Sequence, residues 1–364
     1  MGRLVKLKAR MGISIGLMFI VLLGFLLGIT ILIFYFFNWI NTIFVVDVWK
    51  FLMISLVLAG ITGVFILFQW AIGPSIVRHS MNLHHLKRGE NPWLESVVTK
   101  MAEESNLPQP KIAISPDEHP NCFVFGRTVK SANIVVTKGL LTQLNKKEIE
   151  AVIGHEMGHI KHKDHLVITC LAAIPVFCFL IATFAFHTLR FARPVGRRKE
   201  GGAILLLIMA IAIVSMVAYI VGLLIVRTLS RMREFYSDAY SAYITENPRG
   251  LKSALTKIAY GLSVTPKETQ GVRAFFIEDP VRARNEIQNI VEHGSEYDLD
   301  RDGTIDEKEL ELAMEAEAKK SRWNRFNNLF STHPPTYKRI LLLSQIEKEM
   351  TSGRYTTKNI YRYI

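Results

Sequence analysis

Four long apolar stretches set the pattern of this chain. Gly12 to Phe37, Phe51 to Ile72, Leu166 to Leu189 and Ala203 to Val226 are nearly free of charge. Each exceeds the roughly 20 residues needed to cross about 30 Å of hydrocarbon, so each predicts a membrane-spanning helix. From Pro92 the pattern becomes amphipathic. Trp93 to Ser105 sets apolar and charged residues at helical spacing, and Pro108 and Pro110 close it. Lys111 to Ser115, Asn121 to Arg127 and Ala132 to Thr137 read as three short strands, the last two joined by the turn-like Thr128 to Ser131. In the next helix Asn145 and Glu148 make an N-cap and its capping-box partner. Ile149, Val152, Ile153, Met157 and Ile160 form the stripe that would hold it against a core. The expected fold is a mainly α membrane protein with about four transmembrane helices and a domain containing a small β-sheet.

The 364 residues are 49% hydrophobic and carry a formal net charge of +12. The basic residues line the flanks of the apolar blocks without a recognition motif, so the expected partner is the lipid bilayer and not nucleic acid. Arg3, Lys6, Lys8 and Arg10 precede the first block, and only Lys50 lies in the loop after it, which puts the N-terminus in the cytoplasm. Four crossings then return every large segment there, although Arg190, Arg193, Arg197, Arg198 and Lys199 between the last two blocks oppose that orientation. The first block outruns a signal h-region of about 7–15 residues and no small-x-small site follows it, so it is expected to stay attached. Cys122, Cys170 and Cys178 are odd in number and lack metal-ligand spacing, as packing residues in a reducing compartment would.

The candidate chemistry is concentrated in Glu150-Ala-Val-Ile-Gly-His-Glu-Met-Gly-His159. Four residues apart on a helix, His155 and His159 differ by about 40° and one turn, so two imidazoles converge on a point, a spacing suited to zinc. Glu156 is rotated about 100° from His155, which sets its carboxylate beside the metal as a general base for water. Two residues compete for third ligand. His165 has the spacing of H-E-x-x-H-x-x-G-x-x-H, but His162 replaces the helix-breaking glycine. With the helix continued His165 lies about 80° off and some 15 Å along the axis. Glu234, in Arg231-Met-Arg-Glu-Phe-Tyr-Ser-Asp238, completes a two-histidine, one-glutamate set, and Asp238 on the same helix face would accept the other N–H of a ligand histidine.

These segments resemble the HtpX branch of membrane zinc metalloproteases, relatives of the CAAX prenyl proteases. The resemblance runs through the two early spans, Asn121-Cys-Phe-Val-Phe-Gly-Arg127, Thr137-Lys-Gly-Leu-Leu141, the H-E-x-x-H segment, the hydrophobic hairpin, Arg233-Glu-Phe-Tyr-Ser-Asp238 and Ser331-Thr-His-Pro-Pro-Thr-Tyr-Lys-Arg-Ile340. It implies a gluzincin-like α+β peptidase domain with one zinc on His155, His159 and Glu234, and Glu156 as base and proton donor. It also implies that Asn121 and the strand carrying Phe123 and Phe125 bind substrate, and that His333 stabilises the oxyanion. The implied substrates are membrane-associated or misfolded proteins, in protein quality control. CAAX-type processing and a non-catalytic zinc- and calcium-binding receptor or scaffold are the alternatives. Ser237 and Cys122 replace alanines usual in the family, and both are small.

One segment departs from that family. Asp298-Leu-Asp-Arg-Asp-Gly-Thr-Ile-Asp-Glu-Lys-Glu309 matches an EF-hand-like calcium loop, with Asp298, Asp300, Asp302, the Thr304 carbonyl, Asp306 and Glu309 at the ligand positions and Gly303 at the turn. Helical patterns in Ala283 to Gly294 and Lys308 to Lys320 flank it. Calcium is expected there, as a structural clip or as a regulator, because the loop lies between Glu234 and His333. The expected domain order is membrane helices over 1–75, the first part of the peptidase domain over 76–165, and membrane helices over 166–227. The third-ligand region over 228–280, the calcium-binding insertion over 281–320 and the C-terminal part of the peptidase domain over 321–364 follow. The oligomeric state is left open.

Overall fold

The protein is described by a computed structural model over residues 3–40, 48–191, 199–264, 277, 280–301, 305–320 and 331–352. In chain order its elements are α1 (Arg3–Ile40), α2 (Val48–Ser80), β1 (His84–His85), α3 (Pro92–Glu104), β2 (Lys111–Ser115), β3 (Cys122–Phe125), β4 (Asn133–Thr137), α4 (Lys138–Gln143) and α5 (Lys146–Lys161), followed by α6 (Asp164–Phe191), α7 (Lys199–Thr245), α8 (Pro248–Val264), α9 (Pro280–Glu292), α10 (Gly294–Tyr297), α11 (Glu307–Lys320) and α12 (Thr336–Thr351). The chain divides into two compact units, one of Met11–Gly73 and Val167–Val226, the other of Met1–Arg10, Pro74–Leu166 and Arg227–Ile364.

The first unit holds the apolar stretches. Among the described residues four helices are long and apolar enough to cross a membrane, over Ala9–Phe36, Val48–Ser80, Asp164–Phe191 and Gly202–Thr245, as the pattern of the chain requires. Phe25, Ile29, Cys178 and Ala218 form a core among them, while Phe19, Leu56, Leu67 and Phe184 face outward, where hydrocarbon would solvate them. Cys122, Cys170 and Cys178 are free thiols, two of them buried, in keeping with a packing role.

The second unit is built on a mixed sheet of order β1-β2-β4-β3. Strands β2 and β4 run parallel, from Lys111 beside Asn133 to Ser115 beside Thr137, and β3 joins β4 antiparallel. Strand β3 is therefore terminal in the sheet. His84 and His85 form β1 against Ile114 and Ala113. Two residues are too few to show a period. One sheet face is covered by Val77, Met81, Ala113, Phe123, Phe125 and Val135. Helix α5 packs on β3, α3 and α8, and α8 in turn packs on α9 and α12.

Candidate metal centre

Helix α5 starts where its sequence says. Asn145 Oδ1 accepts from Glu148 N–H at 3.0 Å, and Glu148 Oε2 accepts from Asn145 N–H at 2.8 Å. Ile149, Val152, Ile153, Met157 and Ile160 are buried, and burial extends to His155 and Glu156. The helix ends at Lys161, and this corrects the expectation of a helix continued through His165. His162 is its C-cap and Lys163 adopts φ 57, so a left-handed residue makes the break without glycine, at a cost of about 1–2 kcal/mol. The turn brings Asp164, and not His165, to His159.

The C-terminal part of α7 crosses α5 closely because two glycines face it. A Cβ on Gly158 would lie 3.1 Å from Ser237 Cα, and one on Gly154 would lie 3.1 Å from Ile244 Cγ2. That approach delivers Glu234. His155 Nε2 and His159 Nε2 are 3.1 Å apart, Glu234 Oε2 is 3.5 Å from the first and Glu234 Oε1 3.6 Å from the second. The candidate ligand atoms of these three residues all lie within 4.8 Å of one another. Tetrahedral zinc with bonds of about 2.0–2.1 Å separates its ligand atoms by roughly 3.3–3.4 Å, so the spacing fits.

The surroundings turn both Nε2 atoms inward. His155 Nδ1 faces Asp238 Oδ1 at 2.9 Å, and His159 Nδ1 faces Asp164 Oδ2 at 2.8 Å. His159 Nδ1 is hydrogen-bonded to Asp164, whereas His155 Nδ1, although close to Asp238, makes no hydrogen bond; the two Nε2 atoms point at each other and at Glu234, whose Oε2 is likewise buried without one. Such a cluster demands positive charge at its centre. Burial alone would depress the His155 pKa, but Asp238 and Glu234 outweigh it and raise it to about 9, so the same position that suits a cation also draws a proton. The outer carboxylates are themselves neutralised. Arg339, fully buried, donates Nε and Nη2 to Asp238 at 2.9 and 2.7 Å, and Arg233 is paired with Asp164. Arg233 and Arg339 lie within the Arg233 to Asp238 and Ser331 to Ile340 segments without a role of their own there, and Asp164 belongs to no motif.

Glu156 is 3% exposed, and burial lifts its carboxyl to about 7, with His159, His155 and Arg339 pulling it down and Glu234 pushing it up. Burial, and after it the charge of Glu156, raises the Cys122 thiol, so the base lies near the start of β3. His333 Nε2 is 4.0 Å from Glu234 Oε1, and its backbone is held by Arg282 Nη1 and Ser331 Oγ at 3.1 and 2.9 Å. The strand residues take a different form from a side-chain binding site. Phe123 and Phe125 are buried in the sheet core, and Asn121 Oδ1 accepts from Ile277 N–H at 2.9 Å. What β3 can offer an extended peptide is main chain.

In the EF-hand-like segment Asp298, Asp300 and Glu309 each present an oxygen to a common region within 4.8 Å. Glu309 Oε1 accepts from Leu299 N–H at 2.6 Å, and Asp306 and Glu309 cap each other at the start of α11. Asp302 and Thr304 lie outside the described residues.

Residues 88–347 match the family model of Peptidase family M48. The chain belongs to that family. A protease HtpX homolog 2 of Methanosarcina acetivorans is 30% identical over 298 residues, covering 79% of this chain and 84% of that protein. A protease HtpX homolog of Methanothermobacter thermautotrophicus is 37% identical over 198 residues, covering 54% and 71%. Among solved structures, the crystal structure of S. mikatae Ste24p aligns at 18% identity with a TM-score of 0.44, over 93% of this chain and 67% of that one. By its family model and its HtpX-homolog relatives the chain is of the HtpX-type M48 membrane metalloprotease family, and its His155, His159 and Glu234 form a group that could hold a metal ion.

Proposed function

We propose that this M48 peptidase is a zinc endopeptidase whose metal is held by His155, His159 and Glu234, and whose water is activated by Glu156. The observation that carries the reading is the inward convergence of two imidazole Nε2 atoms and a buried carboxylate beside a second carboxylate raised to about 7. When bound, zinc supplies Lewis acidity that lowers the pKa of water and polarises the scissile carbonyl. Glu156 takes the proton from the attacking water and delivers it to the leaving amine, a role served by a pKa near the working pH. His333, beside Glu234, donates to the developing oxyanion. The terminal strand β3 pairs with an extended substrate through its main chain, which suits unfolded segments of varied sequence. Membrane-associated or misfolded proteins are accordingly the substrates, the catalytic unit faces the cytoplasm, and protein quality control is the role.

Zinc-loaded wild type should cleave casein, and Glu156→Gln should lower turnover by at least about 100-fold while retaining the metal. Equal activity in the variant would refute the mechanism, and loss of the metal would reassign Glu156. A chain that binds zinc without cleaving would be the receptor or scaffold instead. Cleavage confined to prenylated C-terminal peptides would mean CAAX-type processing.

Calcium is a second part of the proposal, supported by the grouping of Asp298, Asp300 and Glu309. Arg282 and Glu286 on the preceding α9 contact His333 O and Thr336 N–H at 3.1 Å each, so ordering of that helix by calcium would steady the His333 segment. Proteolysis measured against free calcium should rise in wild type and stay flat in Glu309→Gln; coincident curves would remove the regulatory role.

A further inference from the structure

Each histidine of the cluster is backed by a carboxylate, and each carboxylate by a buried arginine. On His155 the pair is Asp238 and Arg339, and Asp238 comes from the helix that carries Glu234. On His159 the backing has a different origin. Asp164 is the first residue of α6, presented by the left-handed turn at Lys163. Its Oδ2 lies 2.8 Å from His159 Nδ1, and its Oδ1 accepts from Arg233 Nη2, which also donates to His162 O at 2.7 Å. Asp164 and Arg233 are each only 5% exposed.

We propose that Asp164, held in place by Arg233, is the positioning residue of His159. An imidazole whose Nδ1 had no acceptor could change tautomer or turn its ring, and would no longer aim Nε2 at His155 and Glu234. A buried carboxylate on Nδ1 selects the Nδ1–H tautomer and fixes the ring plane. Ser237 Oγ approaches the same Nδ1 at 3.1 Å, but a hydroxyl both donates and accepts, so it does not choose the tautomer, and it is the weaker acceptor. Arg233 keeps the arrangement electrically balanced. Without it Asp164 would add an unpaired negative charge to a centre that already contains Glu234 and Glu156. Because Asp164 opens α6, the orientation of His159 depends on where that helix begins, and the Lys163 turn sets this.

The inference rests on His159 being a zinc ligand, and the test separates the two. In the full-length protein in detergent, zinc affinity is measured by competition with a chromophoric chelator, and the absorption bands of the cobalt-loaded protein are recorded. Asp164→Asn with Arg233→Gln removes both charges together, which leaves no buried ion unpaired. It should weaken zinc roughly 10- to 100-fold and shift the cobalt bands. Asp164→Asn alone serves where the double variant does not fold, and should weaken zinc about tenfold. Ser237→Ala should change it by less than about threefold, since a neutral hydroxyl contributes little beside a carboxylate. Unchanged zinc affinity and cobalt bands in the Asp164 variants would overturn the assignment, as would a tenfold loss in Ser237→Ala alone. Wild type that takes up no zinc would overturn the metal reading itself, and this inference with it.

Discussion

Replacing Glu156 by glutamine should stabilise the metal-free protein, and by an amount that depends on pH. Burial is the main reason the Glu156 carboxyl is lifted from 4.5 to about 7, and the carboxylate of Glu234 adds to it. An acid whose folded pKa exceeds its unfolded one costs the native state nothing below the unfolded value. The cost grows between the two and is complete above the folded value. The shift is about 2.5 units, from 7 minus 4.5, which at about 1.36 kcal/mol per unit is roughly 3 kcal/mol above pH 7. Glutamine has no charge to desolvate. Thermal unfolding of both chelated proteins in detergent should therefore show nearly equal midpoints at pH 4.5 and a gap opening to about 6 °C by pH 8.5, at roughly 2 °C per kcal/mol. Zinc should narrow that gap, because a divalent cation beside Glu156 favours its ionised form. A gap that is constant across this pH range would refute the claim that burial of the charge is what raises Glu156. The same substitution is expected to abolish turnover, so the buried carboxylate would exchange stability for chemistry.

Two further outcomes test the scaffold. Arg339→Met leaves Asp238, itself fully buried, without its cation, and should destabilise the protein by about 3–5 kcal/mol; adding Asp238→Asn should recover a large part of that loss in chemical denaturation. Gly139→Ala places a Cβ on the backbone carbonyl of Glu118, which no side-chain motion can relieve, and should cost about 3 kcal/mol or more in the same assay, whereas Gly60→Ala, facing open space, should be nearly neutral.

Much of the site was legible in local pattern. The capping box at Asn145 and Glu148, the apolar stripe of α5, the strands at 111–115 and 133–137 and the apolar membrane helices appear in the structure within a few residues of where periodicity sets them. Other parts were not. A break at Lys163 without glycine has no propensity signal, because a single left-handed lysine costs little beside the contacts it permits. Two-residue β1 is likewise invisible to a period of two.

What the sequence by itself determined is the set of chemical groups and their local geometry: two histidines one turn apart, a glutamate rotated from them, an acidic pair at i and i+4, and helices apolar enough for a bilayer. These follow from fixed helix geometry and from the hydrophobic effect, which act within a segment. The tertiary structure decided which carboxylate serves which histidine. Gly154 and Gly158 let α7 approach α5 so that Glu234 reaches both imidazoles, Asp238 takes His155, and the start of α6 supplies Asp164 to His159. Those partners are separated by 5 to 83 residues along the chain, from 164 minus 159 and 238 minus 155. Close packing of buried backbone, where a single Cβ would hold the helices apart, brings Glu234 and Asp238 to the histidines, while the turn at Lys163 brings Asp164 to His159.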